Sequence, residues 1–512
     1  MRLLLINPPY VATTTRWGVG HQVPLGLLAI GGPLIDAGHE VALLDAEAER
    51  LSLDALAARA CAAAPDAVLT GHAGSTAAHP TVLAMAARLK AEMPEVAIVY
   101  GGVHPTYHAA EILAGAPAID AIVRGEGEAT AVALVAALEA GTPLGEVRGI
   151  AFREGGAVRL TAPSTPIADL DACRAGWELI GDWDRYRCWG RGRAAVVQLS
   201  RGCPHQCSYC GQRGFWTRQR YRTPERVADE IAWLHRAHGV RFVDLADENP
   251  TTSPKTFRRF LEALAAHAVD VRLFATTRAG DVVRDAAMLP LWKRAGMDCV
   301  LMGMETTDDA TLARIRKGST TATDLDAIRL LRAHGILSMM GHIVGFEEET
   351  DAHHCAALRQ IRLYDPDFLN AMYVTPHRWT PFYGESAARE VVETDLARWD
   401  YRHQVLGTPR MPPWRVFAWV KATEALVSLR PRALWRALFH PDPGLRRALR
   451  WSLRRSALVW TAEIAAFLRG PRPRAAGRLA ETHGATLQHL EYAQRPAPRA
   501  RPERPRAVGT GG

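Results

Sequence analysis

Three cysteines stand within eight residues of one another, in the stretch SRGCPHQCSYCG at positions 200–211. Cys203, Cys207 and Cys210 form a C-x3-C-x2-C loop. Three soft thiolates on one short loop favour zinc, copper(I) or an iron–sulfur cluster. Structural zinc sites take four protein ligands, and four-iron electron carriers take four cysteines. A set of three therefore predicts a metal centre with one position open for a molecule that reacts.

Two other interpretations of this loop stay open at the level of sequence. Zinc could recruit His205 as a fourth ligand, although His205 lies inside the loop and the helical pattern after the loop is not finger-like. The cysteines could also be reduced and metal-free, but such crowding is rare in a reducing compartment without a function. The other five cysteines show no ligand spacing and are interpreted as small buried hydrophobic residues: Cys61, Cys173, Cys188, Cys299 and Cys355.

Hydrophobic periodicity places the loop directly after a buried strand. Six apolar runs alternate with helical sequence such as PERVADEIAWLHRAHG, which predicts a partial (β/α)6 barrel at residues 194–387. The loop comes directly after the first of these strands, and barrel active sites lie at the carboxyl ends of strands. Three further strands end in motifs of polar or glycine residues, which are DENP at 247–250, GMET at 303–306 and GHIVG at 341–345.

Residues 1–140 predict a separate, doubly wound (Rossmann-like) α/β domain, joined to the barrel by a connector at 141–193. Its first turn lacks G-x-G-x-x-G, which argues against a nicotinamide or flavin dinucleotide. Ligands of such sheets bind beyond the carboxyl ends of the strands. The candidate binding residues at those ends are Asn7, Pro8, Gly71, His72, Gly101, Gly102, His104, Gly125 and Glu126.

The C-terminal part of the chain differs in composition from the rest. From position 401 on there are 21 Lys+Arg and 6 Asp+Glu, a net +15, so the first 400 residues carry −7 of the total +8. The enzyme-like part therefore gives no sign of binding nucleic acid. Residues 388–470 predict basic, Trp-bearing helices that either cap the barrel or form an amphipathic surface for an anionic membrane. Residues 471–512 are rich in Pro, Arg and Gly and predict a disordered tail.

Composition and cysteine usage bear on where the protein acts. The 512 residues are 48% apolar and 23% charged, as in a multidomain globular protein. The few cysteines do not form a disulfide framework, the first residues do not resemble a secretory signal, and no apolar run is long enough to span a bilayer. We expect a cytoplasmic protein, with peripheral membrane association as a further option.

The cysteine loop and the three strand-end motifs together resemble the radical S-adenosylmethionine (SAM) superfamily. The resemblance implies that the three cysteines hold a 4Fe–4S cluster whose fourth iron binds the methionyl group of SAM. It also implies that an electron from a flavodoxin or ferredoxin cleaves SAM to a 5′-deoxyadenosyl radical. The implied SAM contacts are Tyr209 near the adenine, Asp247, Glu248 and Asn249 at the methionyl amine, Glu305 near the ribose, and Gly341, Ile343 and Gly345 on the adenine side.

The first domain resembles the cobalamin-binding domain that precedes many enzymes of this superfamily, through NPP, GGVHPT and VRGEGE. It lacks the D-x-H-x-x-G motif that supplies an axial histidine in other cobalamin proteins. His21, His72 and His104 are therefore either contacts of cobalamin or loop histidines satisfied by hydrogen bonds. The layout of residues 1–385 resembles the anaerobic magnesium-protoporphyrin IX monomethyl ester cyclase group, which closes the isocyclic ring of bacteriochlorophyll without oxygen.

That resemblance implies that hydrogen is removed from a propionate side chain, that oxygen from water is introduced, and that the ring closes as a ketone. Tyr373, His377 and Trp379 would line a pocket for a large flat substrate, or would pack against the C-terminal helices. A cobalamin-dependent radical SAM methyltransferase, acting on an unactivated carbon or phosphorus, uses the same cofactors and is the alternative. A non-catalytic iron–sulfur carrier is a third hypothesis, but it would need no nucleoside site.

Overall fold

The structure is a computed structural model that describes residues 1–10, 12–212, 214–216, 218–471 and 473–487. The predicted C-terminal tail lies outside the described residues from position 488 on. The part of it at 473–487 includes a short helix whose Leu479 is buried against Val391 and Tyr383. This segment therefore belongs to the folded body of the protein.

The first sheet has seven strands in the order β2-β1-β3-β4-β5-β6-β7. The first five are parallel and coincide with the five predicted strands, whereas β6 and β7 form an antiparallel hairpin on β5. This hairpin falls in the predicted connector, where its short alternating pattern gave no strand prediction. The strands are β1 (Arg2–Asn7), β2 (Glu40–Asp45), β3 (Ala67–Thr70), β4 (Ala97–Gly101), β5 (Ala121–Val123), β6 (Ile150–Glu154) and β7 (Ala157–Leu160).

Helices cover both faces of this sheet, as the doubly wound prediction requires. One apolar core joins the sheet to α1 and α5, and another joins its opposite face to α2, α3 and α4. The order in which strands are added reverses between β1 and β3, so the loops after these two parallel strands lead to opposite faces of the sheet and leave a crevice at the carboxyl edge. The helices are α1 (Leu25–Asp36), α2 (Leu53–Ala63), α3 (His79–Glu92), α4 (Val103–Gly115) and α5 (Glu128–Ala140).

The second sheet is the predicted partial barrel, with six parallel strands in sequence order and an open side between the first and the last. All six predicted strands are present. A small antiparallel pair frames the cysteine loop after the first of them. The strands are β8 (Ala194–Val197), β9 (Ser200–Arg201), β10 (Arg220–Tyr221), β11 (Phe242–Leu245), β12 (Arg272–Thr277), β13 (Met297–Glu305), β14 (Leu337–Val344) and β15 (Phe368–Tyr373), with β9 and β10 as the small pair.

The helices between barrel strands carry apolar faces that pack on the outside of the sheet. In α6 the C-terminal Gly239 has φ +67°, a conformation that ends the helix at little cost for glycine. In α7 the Ser253 side chain accepts a hydrogen bond from the Thr256 amide, which caps the first turn. These helices are α6 (Pro224–His238), α7 (Pro254–Ala266), α8 (Ala279–Arg284), α9 (Leu289–Arg294), α10 (Asp309–Arg314), α11 (Thr321–Ala333) and α12 (Asp351–Tyr364), and the short α13 (Pro381–Glu385) follows the last strand.

The C-terminal helices close the barrel. Ala437, Leu445 and Leu449 pack inside it, against Phe242 and Phe274 from the inner face of the strands. None of the helices in the described ranges combines the length and the apolar content that crossing a bilayer requires. The C-terminal helices are α14 (Pro413–Ser428), α15 (Pro431–Phe439), α16 (Pro443–Arg469) and α17 (Leu479–His483).

Candidate active site

The cysteine loop leaves β9 and returns along β10, at the carboxyl end of β8. None of its three cysteines is in a disulfide. Burial raises the pKa of the Cys203 thiol and raises the pKa of the Cys210 thiol to about 11. The charge of Cys207 adds to the increase in both pKa values. Cys207 therefore lies within electrostatic range of the other two cysteines.

The loop fits a cluster better than it fits a single ion. Among the described residues, no three His, Cys, Asp or Glu side chains converge on one point as ligands of a single metal ion do. The zinc interpretation with His205 therefore has no ligand set to support it. In a four-iron cluster each thiolate binds a different iron, so the sulfurs surround a volume instead of a point. Ser208, inside the loop, is buried and its Oγ has no hydrogen-bond partner in the described part of the chain.

The acidic segment after β11 borders this loop. Glu248 accepts a hydrogen bond of 3.0 Å from the Gly202 amide, next to the first cysteine. Asp247 is turned the other way and accepts from the Leu199 amide (3.0 Å) and the Ser200 hydroxyl, and burial raises its pKa to about 7. Glu248 thus contacts the loop directly before Cys203, and Asp247 holds the start of the loop on the strand.

Asn249, the third residue of this segment, is engaged with the barrel wall. Its amide nitrogen donates to Asp281 (2.8 Å), and its amide oxygen accepts from the hydroxyls of Thr251 (2.8 Å) and Thr277 (3.2 Å). All of these side chains are buried. The network ties the end of β11 to β12 and α8, so Asn249 shapes the site through the backbone it fixes.

A buried ion pair stands at the end of β13. Lys317 donates a 2.6 Å hydrogen bond to Glu305, and both side chains are less than one-tenth exposed. Burial lowers the pKa of Lys317, but the charges of Glu305 and Cys207 and the hydrogen bond to Glu305 together outweigh it and hold that pKa above its usual value. Glu305 has φ +64°, which is strained for a residue other than glycine. A Cβ at Gly303 would lie 2.3 Å from the Glu305 carboxylate, so this glycine leaves room for the pair.

Tyr209 connects the cysteine loop to this ion pair and to β14. Burial raises its pKa, and the charges of Glu305 and Cys207 raise it further. Its ring packs against the apolar cluster that contains Ile343. The predicted adenine-side residues Tyr209 and Ile343 therefore lie together.

The glycines of β14 allow close approach of neighbouring backbone. A Cβ at Gly341 would lie 3.4 Å from the Met302 carbonyl on β13. Gly345 has φ +93°, and its amide donates to Glu349 at 2.9 Å. The neighbouring Glu348 instead pairs with Arg314 at the surface. Glu349 is thus the residue that fixes this turn.

In the first domain, several predicted contacts line the carboxyl edge of the sheet. His72 is hydrogen-bonded to Glu47 (2.9 Å), and His21 lies 4.0 Å from the same carboxylate. Asn7 donates to Asp45 (2.8 Å), and Pro8 comes after it in the loop. The strand ends approach closely at Gly71, where a Cβ would lie 2.8 Å from the Gly101 carbonyl. The His72 ring is therefore held by a hydrogen bond, whereas Nε2 of His21 is buried without a hydrogen-bond partner in the described part of the chain.

Of the other predicted contacts of the first domain, Glu126 meets the barrel and the two glycines shape the backbone near it. Gly102 has φ +113° at the start of α4, and Gly125 has φ +82° after β5. Glu126 binds Arg220 of the β10 strand and accepts a 3.0 Å hydrogen bond from the Ile167 amide. Glu126 is thereby part of an ion pair that joins the two domains beside the cysteine loop.

His104, His377 and Trp379 meet where the first domain touches the cysteine loop. The Thr76 hydroxyl lies 3.1 Å from His104 Nδ1 and 3.3 Å from His377 Nδ1. Trp379 donates from Nε1 to the Gly211 carbonyl (2.7 Å) and stacks on Tyr107 at 4.8 Å. Burial lowers the pKa of His377 to about 4, so this ring is neutral near pH 7.

Tyr373, by contrast, is buried on β15 with Val416 and Val420 of α14. Of the two roles that the sequence left open for this residue, the structure places it in the packing against the C-terminal helices.

A cavity of about 390 Å³, which we call the lumen cavity, lies between the inner face of the barrel strands, the C-terminal helices and the first loop of the chain, and is partly open to solvent. It extends from Tyr401, whose hydroxyl is 2.8 Å from His377 Nε2, towards the amino-terminal ends of the strands. Because His377 lies against Gly211, the cavity reaches the vicinity of the cluster loop. Its aromatic and sulfur-containing walls are Trp189, Phe274, Met339, Phe368, Met372, Tyr401, Trp451 and Trp460.

Sequence reasoning missed three residues that the geometry brings into the site. Lys317 has no motif of its own, because its partner Glu305 lies twelve positions away. Tyr401 lies beyond the predicted barrel. Asp244 interrupts the apolar strand VRFVDLAD and lines the lumen cavity, and a carboxylate inside a buried strand was the signal that could have revealed it.

Two family models match the chain. The radical SAM superfamily model matches residues 197–361, and the B12-binding domain model matches residues 17–135. The fold is similar to that of the radical SAM methyltransferase TsrM from Kitasatospora setae, solved with cobalamin and a 4Fe–4S cluster, at a TM-score of 0.66 and 17% identity over 91% of this chain and 99% of that one. Fold and site together define a radical SAM enzyme with an N-terminal cobalamin-binding domain, whose cofactors are a 4Fe–4S cluster, SAM and cobalamin.

Two curated relatives identify the family. The anaerobic magnesium-protoporphyrin IX monomethyl ester cyclase of Synechocystis is 49% identical over 96% of this chain and 98% of its own length. The cyclase of Cereibacter sphaeroides is 33% identical over 86% of this chain and 71% of its own length. The chain belongs to the anaerobic magnesium-protoporphyrin IX monomethyl ester cyclase family.

Proposed function

We propose that this protein catalyses the anaerobic oxidative cyclisation of magnesium-protoporphyrin IX monomethyl ester, which forms the isocyclic ring of bacteriochlorophyll. The observation that carries the proposal is the lumen cavity, which has aromatic walls suited to a large flat ring and reaches the cysteine loop at Tyr401. The near full-length similarity to a cyclase supports the same substrate.

The roles of the protein's own groups follow from their positions. Cys203, Cys207 and Cys210 hold the cluster, and cluster and SAM together supply a 5′-deoxyadenosyl radical when bound. Tyr209 forms one wall of the nucleoside site beside the Glu305–Lys317 pair.

The interface between the domains controls what reaches the reacting substrate. His377 and Trp379 close the interface with the first domain, where buried neutral rings keep water away. Asn7, Gly71, His72, Gly101, Gly102, His104 and Gly125 lie along or next to the sheet edge that we assign to cobalamin.

The test is anaerobic reconstitution with iron, sulfide and cobalamin, followed by SAM, a reductant and the magnesium porphyrin. Mass spectrometry follows deoxyadenosine and the porphyrin. Cys207→Ala should abolish both cluster assembly and SAM cleavage, whereas Cys355→Ala, at an exposed cysteine on α12, should leave both intact. Cleavage of SAM by the Cys207→Ala variant would contradict the assignment of the cluster ligands.

A cobalamin-dependent radical SAM methyltransferase is the second candidate, and the fold shared with a methyltransferase favours it. The two reactions differ in the mass of the product. Cyclisation introduces one oxygen and removes hydrogen, whereas methylation adds one CH₂. Deoxyadenosine with an unchanged porphyrin would reject the cyclase and favour the methyltransferase on another substrate.

The electron donor and the place of action are part of the same proposal. A flavodoxin or ferredoxin would reduce the cluster in the cytoplasm. The C-terminal helices expose large apolar side chains next to arginines, with Trp435 58% and Leu468 78% exposed, which suits peripheral contact with an anionic membrane. Flotation with vesicles that contain anionic lipid should recover the protein, and Trp435→Ala should weaken this, whereas vesicles of neutral lipid alone should bind little.

A further inference from the structure

Asp244 is a carboxyl group inside the barrel to which the proposed reaction assigns no role. It is the third residue of β11, and its neighbours across the sheet are Val196 on β8 and Phe274 on β12. Its side chain lines the lumen cavity, together with Phe274 and Trp189. It is therefore presented to whatever molecule occupies the cavity.

The surroundings of Asp244 do not compensate its charge. Gln22, from the first loop of the chain, donates a 2.6 Å hydrogen bond to Oδ2. In the described part of the chain Asp244 has no ion pair, and Oδ1 has no hydrogen-bond partner. Burial raises the pKa of Asp244 to about 6. By comparison, the buried carboxylate of Asp365 is paired with Arg430 and Arg436, as a structural carboxylate normally is.

The shape and the walls of the lumen cavity limit which ligand could contact Oδ1 of Asp244. Its walls include flat rings that pack on one another, with Trp189 stacked near Phe274 at 5.7 Å and tilted against Trp451 at 6.2 Å, so they form a continuous aromatic surface against which a planar molecule can lie. A carboxylate is a preferred ligand of Mg²⁺, a hard cation. A planar tetrapyrrole fills the equatorial positions of its Mg²⁺ and leaves the axial positions to oxygen ligands.

We propose that one carboxylate oxygen of Asp244 is an axial ligand of the central Mg²⁺ of the substrate, and that this contact selects the magnesium chelate over the metal-free ring. Gln22 orients the carboxylate by holding its other oxygen. This inference rests on the proposed function, because it takes the substrate from there.

The experiment measures binding, without turnover. Enzyme reconstituted with its cluster and cobalamin is dialysed to equilibrium, anaerobically and without reductant, against magnesium-protoporphyrin IX monomethyl ester or against the metal-free monomethyl ester. Bound porphyrin is quantified by its fluorescence after extraction. The wild type should prefer the magnesium form by about tenfold or more, and Asp244→Asn should reduce that preference to about threefold or less. The variant should bind the metal-free ring as well as the wild type does, since it keeps the shape of the side chain and leaves the aromatic walls unchanged.

Asp400→Asn is the matched control. Asp400 also lines the lumen cavity, but its Oδ1 already accepts hydrogen bonds from the Arg402 and His403 amides and lies 2.9 Å from the His403 ring nitrogen. This variant should keep the wild-type preference. Asp244→Ser provides a second variant in case the amide disturbs folding, and iron content together with SAM cleavage reports the integrity of each protein.

Each outcome decides the inference. A preference that is lost in both Asp244 variants and kept in Asp400→Asn supports it. Equal binding of both rings by the wild type overturns it, as does an Asp244→Asn variant that keeps the preference or loses affinity for both rings alike. If the wild type binds neither ring, the proposed function fails with it. Conversion of the magnesium porphyrin by a wild type without metal preference would leave the proposed function standing and reject Asp244 as a ligand.

Discussion

Replacement of Lys317 by methionine should destabilise the barrel by about 3–4 kcal/mol. The change leaves the buried Glu305 carboxylate without its 2.6 Å partner, and removal of one member of a buried ion pair costs about 3–5 kcal/mol. Glu305 can avoid the cost of an unpaired buried charge by binding a proton. For a glutamate with the ordinary pKa of about 4.3, protonation at pH 7.5 costs about 4 kcal/mol, which sets the upper limit. The cost of breaking the ion pair and the cost of protonating the carboxylate therefore give similar values for the destabilisation.

Loss of Lys317 should also make the stability of the protein depend on pH. In the Lys317→Met variant the folded-state pKa of Glu305 rises above its unfolded value, so the folded state binds the extra proton. Stability of the variant should therefore fall as the pH increases from about 5 to 8, relative to wild type. Urea unfolding of the reconstituted enzyme, followed by tryptophan fluorescence at several pH values, measures this, with SAM affinity as a second readout.

A matched control separates the ion pair from the loss of any lysine. Lys293 is half-buried and donates to a backbone carbonyl, that of Gly335, at 2.6 Å, so Lys293→Met should cost only about 1 kcal/mol. The double variant Glu305→Gln/Lys317→Met should recover most of the stability but not the SAM affinity. If Lys317→Met unfolds no more readily than Lys293→Met, or if the double variant is less stable than Lys317→Met, the reasoning is refuted.

Three further predictions test the site and its supports. Gly303→Ala places a Cβ 2.3 Å from the Glu305 carboxylate and should weaken SAM binding by about tenfold in equilibrium dialysis. Unchanged binding would show that the Glu305–Lys317 pair is not part of the SAM site. Burial lowers the pKa of His342 to about 4, so on acidification the unfolded state binds a proton at this residue before the folded state does. The wild type therefore loses stability between pH 7 and 5, and His342→Gln should reduce that loss by about 2 kcal/mol in urea unfolding. An unchanged loss would contradict this. Arg220→Met leaves Glu126 with a weaker partner between the domains and should lower stability by about 3 kcal/mol, and addition of Glu126→Gln should restore much of that loss in the same assay.

The chemistry of the cysteine loop could be predicted from the sequence because its elements are local. Three ligands within eight residues act on one centre in any fold that keeps the loop compact. The strands could be predicted for a similar reason, since each is a short apolar run between helical segments, and the parallel order follows from the crossover connections. Both sheets agree with those expectations.

The hairpin β6–β7 shows where local pattern is insufficient. Most of the side chains of β7 are exposed, so the strand has little of the apolar character on which the prediction depends. It is a strand because its backbone pairs with β6, and β6 in turn with β5. Edge pairing of this kind depends on neighbours that the local sequence does not identify.

What the sequence alone determined is the radical SAM class of chemistry, the two α/β sheets in order and the positions of the strand-end motifs. What only the tertiary structure decided is how distant residues meet. Lys317 neutralises Glu305, His377 reaches the first domain at Thr76, and Gln22 binds Asp244 across 222 positions of sequence. The physical reason is that a buried polar group must find its partner in space, and the fold places that partner anywhere along the chain.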